Sequence, residues 1–399
     1  MKKRAKYMLI MIMVFTVVLA WCTSCGKNDS DANSSMAQDW MRKNHFDEEE
    51  TTDQLYEKAL TEENLVVYSV STRVTKVKES FEKKYPGLCV EVRDLRSPDL
   101  IEAVKDEFES ESFDCDVVIC NDNSGAFFES LVKPNIVVPY IPKDIAEHMK
   151  EGYVGETVTF LDEAEMIFYN SGKYDECPIS NIWELTDEKY RGHIYIPSPL
   201  RSFSTYAFCG SSLQYSEQLE KAYEQYYHET LDVSDDSTAA MVFWRSLAAN
   251  AIFTNSSDEV AEALGSKNSD ADFGIMVSSK QRLSEVGYSL EPVYHLAPFC
   301  GCKTSFSVMI ATGSKNVNSA KLFVRYMLGE STDIGEGTES FRTVGTWSAR
   351  TDLEDGNPVP MEEIDLIVPN QEYLIDNRVQ IETFWSAILK ESNGENSEE

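Results

Sequence analysis

The sequence predicts an α/β fold, with parallel strands covered by helices on both faces. Three observations point there. Residues 65–120 read strand, helix, strand, helix, strand, the spacing of a parallel sheet with crossover helices. A second α/β set follows after residue 182. The chain has 399 residues, 42% of them hydrophobic, which is enough for two domain-sized cores. No internal repeat is present.

The elements follow in order. Lys2, Lys3, Arg4 and Lys6 precede an apolar run over residues 8–20, and then comes Trp21-Cys22-Thr23-Ser24-Cys25-Gly26. The run is shorter than the about twenty apolar residues a membrane-spanning helix needs, so residues 1–24 read as an export signal. Small residues before Cys25 fit a lipoprotein signal, with Cys25 as the lipidated residue. Cys22 follows Trp21 and fits less well, and a plain cleaved secretion signal is the alternative. Either way the mature chain is expected outside the cytoplasm, held at the bacterial membrane if Cys25 is lipidated. Residues 25–50, rich in Ser, Asn, Asp and Glu, read as a flexible tether.

Residues 51–63 carry Leu55, Tyr56, Ala59 and Leu60 at helical spacing. Residues 65–70 are a buried strand. Residues 74–84 form an amphipathic helix with Val74, Val77 and Phe81 inward, stopping at Pro86-Gly87. Residues 88–92 are a second strand, 98–110 a second helix and 115–120 a third strand. Residues 136–140 and 158–169 read as extended. The second set is helical 182–190, strand 193–196, the turn Pro197-Ser198-Pro199 and a helix starting near Ser202 or Ser204. Residues 219–247 are helical with a break near 232–237. A helix at 256–264, a strand at 273–277, an apolar run at 305–311 and helices at 319–328 and 378–389 complete the chain.

The formal charge is −32. Removing residues 1–24 takes away four positive side chains and no acids, so the remainder is more acidic still. Such a surface is repelled by nucleic acid and by anionic lipid. Beyond Cys22 and Cys25 the cysteines are Cys89, Cys115, Cys120, Cys177, Cys209, Cys300 and Cys302. An odd set cannot pair completely, and Cys300-Gly301-Cys302 has no second pair at zinc spacing. The motifs G-x-S-x-G, H-E-x-x-H, P-loop and G-x-G-x-x-G do not occur, and no catalytic residue, metal ligand or cofactor is assigned. His228 beside Tyr226-Tyr227 invites a metal site, but Leu219, Ala222, Tyr223, Tyr226 and Tyr227 form a helical stripe better read as packing.

In open α/β sheets ligands bind beyond the carboxyl ends of the strands. A helix N-terminus there offers unpaired N–H groups and about half a positive charge. Ser71-Thr72-Arg73 follows the first strand and Asn121-Asp122 the third. Ser202, Ser204 and Thr205 follow the strand ending near Ile196. Asn255-Ser256-Ser257 opens a helix, and Ser278-Ser279-Lys280 follows the strand ending at Val277. Converging hydroxyls with Arg73 and Lys280 suit an oxyanion. Each of these residues taken singly also reads as an ordinary N-cap.

The order of several segments resembles a family. Leu55-Tyr56-Glu57-Lys58-Ala59 before Leu65-Val66-Val67-Tyr68-Ser69 is similar to the mature start of ABC-transporter extracellular solute-binding proteins. The relatives are those of the ferric-iron, sugar-phosphate, phosphonate and thiamine type. Phe81-Glu82-Lys83-Lys84-Tyr85-Pro86-Gly87, Asp116-Val117-Val118, Phe168-Tyr169-Asn170, Trp183-Glu184-Leu185 with Tyr190-Arg191-Gly192, and Ile196-Pro197-Ser198-Pro199 with Ser204-Thr205 also fit. The likeness covers residues 52–390. It implies a two-lobe, periplasmic-binding-protein-like type II fold with a hinge and an inter-lobe ligand cleft. Lobe 1 would be 51–166 and 299–399, and lobe 2 would be 167–298, with crossings near Ile167 and Pro298. It also implies a monomer that binds a small molecule and docks on an ABC permease with its ATPase. Ferric-binding relatives carry two adjacent tyrosines where this chain has Ser278-Ser279-Lys280, and a serine hydroxyl does not replace a phenolate on iron.

Three readings stand. The first is a lipid-anchored receptor capturing an oxyanion-bearing solute such as a phosphorylated sugar or a phosphonate. The second is a ferric-iron receptor with its ligands elsewhere in the chain. The third is an extracytoplasmic enzyme on an α/β scaffold, which would need an activated nucleophile beside a base.

Overall fold

In the computed structural model, residues 29–122, 124–233, 238–330 and 334–392 are described. The export signal and Cys25 lie outside the described residues. Two helices come first, α1 (Asp29–Lys43) and α2 (Thr52–Ala59). Thr51 and Gln54 close a reciprocal capping box at the start of α2, so two of its otherwise unpaired N–H groups are satisfied. The parallel unit follows: β1 (Leu65–Ser69), α3 (Val74–Lys84), β2 (Val90–Asp94), α4 (Ser97–Glu109) and β3 (Val117–Asn121). β1 pairs in parallel with both β2 and β3. α3 lays Val74, Val77 and Phe81 on one face of this sheet, and α4 lays Leu100 and Val104 on the other. Burial from both sides is why these strands read as continuous apolar runs.

After β4 (Val137–Val138) and the short α5 (Lys143–Ala146), the long strand β5 (Thr159–Tyr169) leads into the second lobe. There β6 (Ile194–Pro197), α6 (Phe203–Ser212), α7 (Ser216–Tyr227), α8 (Ala239–Asn250), β7 (Ala251–Thr254), α9 (Ser257–Gly265) and β8 (Phe273–Val277) repeat the alternation. β6 runs parallel to β7 and to β8. The chain returns through β9 (Glu291–Pro292) and the long β10 (Gly301–Ala311). It continues as α10 (Val317–Leu328), β11 (Trp347–Ser348), β12 (Leu366–Ile367), α11 (Gln371–Asp376) and α12 (Arg378–Ser392).

The main strand order is β2-β1-β3-β10-β5-β8-β6-β7. β10 is antiparallel to β3 and β5, and β5 is antiparallel to β8. Two parallel wings are therefore joined by two long antiparallel strands. Leu161 and Phe306 belong to the first lobe's core, whereas Ala164 and Cys302 belong to the second's. The two cores divide between Leu161 and Ala164 on β5 and between Cys302 and Phe306 on β10, a few residues from the crossings expected near Ile167 and Pro298. Where the cores divide, β5 carries the buried acids Asp162, Glu163 and Glu165, with apolar residues on either side.

Other expectations need correction. The stretch 25–50 is not a tether throughout, because α1 is helical and Ala37 is buried in the first lobe's core. Lys321 of α10 is buried, and its Nζ donates to the carbonyls of Asn44 and His45 at 2.7 and 2.9 Å and pairs with Glu50 at 2.7 Å. A buried ammonium needs such partners, and residues 44–50 supply them. The C-terminal end does not belong wholly to lobe 1: Met361, Leu374, Ile381 and Trp385 pack in the second core, with Trp385 5.7 Å from Trp244. A Cβ on Gly210 would lie 2.6 Å from Leu374 Cδ2, so glycine there admits α11 onto α6. The helical stretch 182–190 consists of two 3₁₀ turns, Ile182–Thr186 and Glu188–Tyr190, and Ser278–Val286 forms a 3₁₀ helix after β8. All seven cysteines from Cys89 to Cys302 are unpaired.

Candidate ligand cleft between the lobes

A cleft of about 820 Å³ opens between the lobes at the carboxyl ends of the strands, where this fold class places ligands. Its first wall is Val70 after β1, Asp94 and Leu95 at the end of β2, Arg96, Ser97 and Pro98 at the start of α4, and Asn121 at the end of β3. Its second wall is residues 199–204 at the start of α6 and Asn255 after β7, with Phe306 of β10 also lining it. Two helix N-termini thus open into one space from opposite lobes. Pro98 in the first turn of α4 suits this arrangement, since it has no N–H to lose and its φ is already helical. The α6 start is capped by Ser202, whose Oγ accepts the Thr205 N–H at 3.3 Å.

Of the residues singled out in the sequence, Asn121, Ser202, Ser204 and Asn255 line the cleft. Asn121 Oδ1 accepts a long hydrogen bond from Ser97 Oγ at 3.4 Å. Thr205 is fully buried one layer deeper and donates to Glu165 Oε1 at 2.5 Å. Asp122 serves the backbone: its carboxylate accepts the N–H groups of Phe127 and Phe128 at 3.3 and 2.8 Å, and burial pushes its pKa up.

Ser71, Thr72 and Arg73 sit in the loop after β1, outside the cleft lining. Arg73 Nη2 donates to Glu163 Oε1 at 2.5 Å, its Nε donates to Ser71 Oγ at 3.2 Å, and the guanidinium lies 4.9 Å from the Phe341 ring centre. It is therefore a strut between β5 and the first lobe, although its Nη1 is buried with no partner.

The remaining residues are not gathered into the site. Ser256 caps α9 through the Glu259 N–H, and Ser257 Oγ accepts the Val277 N–H. Ser278 Oγ bridges Ala164 N at 2.9 Å and Gly345 O at 2.5 Å. Ser279 is buried, and Lys280 is paired with Asp258. Ordinary capping explains Ser256, while Ser257, Ser278 and Lys280 are tied to backbone groups or to an acid within the fold. Leu219 and Ala222 lie in the second lobe's core with Tyr223, Tyr226 and Tyr227 packed against it, which bears out the packing reading of that stripe, and Tyr226 and Tyr227 both donate to Asp187, at 3.0 and 3.2 Å.

Sequence reasoning missed Arg96, Ser97 and Arg201. The rule applied to the other strand ends would have found the first two, since they follow β2. Arg201 Nη1 donates to Asn255 Oδ1 at 2.7 Å, and the exposed Arg96 pairs with Asp99 at 2.8 Å. Beneath the second wall, Glu165 is fully buried, its pKa is pushed up to about 7 by desolvation against hydrogen bonds from Thr205 and Ser204, and its Oε2 has no partner.

The model of the bacterial extracellular solute-binding protein family matches residues 66–333, more than half the chain. The chain belongs to this family. This solute-binding protein therefore works outside the cytoplasm, and its family and structural neighbours are binding proteins of transport rather than enzymes. No curated protein matches it significantly. Among solved structures, iron-bound HitA from Pseudomonas aeruginosa is similar at 16% identity and a TM-score of 0.59, over 82% of this chain and 99% of that one. AfuA from Actinobacillus pleuropneumoniae with fructose-6-phosphate is similar at 19% identity and a TM-score of 0.60, over 82% and 98%. The apo ferric ion-binding protein A of Pasteurella haemolytica is similar at 16% and 0.58, over 84% and 99%. At such identities these likenesses concern the fold, and they agree with the two-lobe architecture. Among the described residues no helix of the solute-binding protein is long and apolar enough to cross a membrane.

Proposed function

We propose that this protein captures a small oxyanion-bearing solute, such as a phosphorylated sugar or a phosphonate, in the inter-lobe cleft. It then delivers the solute to the permease and ATPase of an ABC importer, as a monomer held at the membrane through lipidated Cys25. The observation that carries the reading is the pair of helix N-termini opening into one cleft from opposite lobes, each with hydroxyls and a cation: Ser97 and Arg96 on one side, Ser202, Ser204 and Arg201 on the other. Unpaired N–H groups and a partial positive charge at each end favour an anion between them. Closure about β5 and β10 would bring both ends onto the ligand and expel water. The fructose-6-phosphate of AfuA is a ligand of this class.

Bare ferric iron fits the lining less well. It takes hard anionic donors, and among the described residues lining the cleft Asp94 is the one carboxylate, with no tyrosine or histidine. Calorimetry with fructose 6-phosphate, inorganic phosphate and ferric citrate tests the choice. Saturable binding of a phosphate compound, with no tyrosinate-to-iron colour on adding ferric salt, is expected. That colour, with no phosphate binding, would overturn the reading in favour of iron.

A further inference from the structure

A row of hydroxyls connects the cleft to the buried carboxyl beneath it. Ser204 Oγ, on the cleft wall, is 3.2 Å from Ser202 Oγ. Ser202 Oγ is 2.9 Å from Thr205 Oγ1, which is 2.5 Å from Glu165 Oε1. Each hydroxyl has one proton to donate, so Thr205 cannot donate to Ser202 and to Glu165 at once. The state of Glu165 therefore orders the whole row. An ionised carboxylate accepts only, so Thr205 and Ser204 donate to it and Ser202 donates to Thr205. All protons then point inward and lone pairs face the cleft. A neutral carboxyl donates to Thr205 instead, the row reverses, and Ser204 presents its O–H to the cleft.

We propose that Glu165 is a positioning residue that sets ligand polarity: in its neutral form it turns the Thr205–Ser202–Ser204 row outward to hold an oxyanion, so that capture of the anion is coupled to uptake of one proton from solvent. The inference rests on the oxyanion reading of the cleft. The surroundings of Glu165 support a neutral form. On its own strand it shares β5 with Glu163, whose charge raises its pKa further. From α6 it faces the Cys209 thiol and from β10 the Cys302 thiol, both pushed well up by burial and so uncharged. From β8 its register partner is the apolar Val277. Among the described residues no cation pairs with it, and its second oxygen has no partner. The proton balance is simple: one proton enters at the carboxylate, no bond between heavy atoms changes, and release of the anion returns the proton.

The test is calorimetry of the full chain with fructose 6-phosphate at about pH 8, where a phosphate monoester is nearly fully dianionic, in two buffers of different ionisation enthalpy. Wild type should take up close to one proton, and its affinity should fall about tenfold per pH unit above the Glu165 titration. Glu165→Gln, whose amide can donate to Thr205 at any pH, should bind without proton uptake and without that pH dependence. No uptake by wild type, or equal uptake by both, overturns the coupling. If fructose 6-phosphate does not bind at all, the ligand class of the preceding subsection is what fails. The switch is then read by infrared spectroscopy of the ligand-free chain. A neutral-acid carbonyl band that titrates near neutrality and is missing in Glu165→Gln supports it, and a Glu165 already ionised at about pH 5 overturns it.

Discussion

The two helix starts that face each other across the cleft are built differently. α4 opens at the exposed Arg96 with no side-chain cap. α6 opens at Ser202, which caps it, and every residue from Ser204 to Ser212 is buried. The first wall thus offers charge and N–H groups that the lobe's core does not depend on. The second holds its polar groups in a hydrogen-bonded row ending on a buried carboxyl. The cations divide in the same way: Arg73 is locked against Glu163 in the interior, and Arg96 stands at the rim. Binding groups and structural groups of the same chemistry can be told apart by what lies behind them.

The strongest break of this contrast is at the cations. Arg73→Ala leaves Glu163 buried and unpaired and should cost about 3–5 kcal/mol of stability, whereas Arg96→Ala should stay within about 0.5 kcal/mol. Denaturant unfolding measures both, and equal costs would erase the distinction. Next is Glu165. Its pKa is raised from the ordinary 4.5 to about 7 in the fold, so the folded chain holds a proton that the unfolded chain loses. This contribution to stability is fully present below about pH 4.5 and is lost as pH rises toward 7, up to about 3 kcal/mol. Glu165→Gln should therefore gain on wild type between about pH 5 and pH 8 by that order, read from urea midpoints at the two pH values.

Smaller effects sharpen the same comparison. Ser202→Ala removes the cap of α6 and should cost about 1 kcal/mol, while Ser97→Ala should leave the unfolding midpoint nearly unmoved and weaken anion binding instead. Replacing Arg96 and Arg201 together by alanine should lower affinity for the anion mainly at low ionic strength. Exposed charges are screened as salt rises, so a salt titration of the binding constant separates this from a direct contact.

Much of this was legible in the sequence. The parallel wing 65–121 followed from apolar runs at crossover spacing, and 273–277 from five consecutive residues that proved to be β8. The crossing of the lobes was read a few residues off, although the acids Asp162, Glu163 and Glu165 interrupt the apolar pattern of β5 where the two cores divide. α1 was hidden by its polar composition; Ala37 sets it in the first lobe's core, and Lys321 holds the carbonyls of Asn44 and His45 just beyond its end. At the site, Asn121, Ser202 and Ser204 were found because strand ends predict them, while Arg96 and Ser97 were passed over at the end of β2. Arg73 and Lys280 show the limit of the rule: a cation after a strand says nothing of the carboxylate that neutralises it, and Glu163 and Asp258 are distant in sequence.

The central claim is an oxyanion-bearing solute enclosed between the lobes. Native mass spectrometry of freshly purified protein tests it most directly. The account predicts a bound small solute carrying phosphate or phosphonate, lost when Ser204 is replaced by alanine. A bound mass equal to iron alone, unaffected by that replacement, would contradict it.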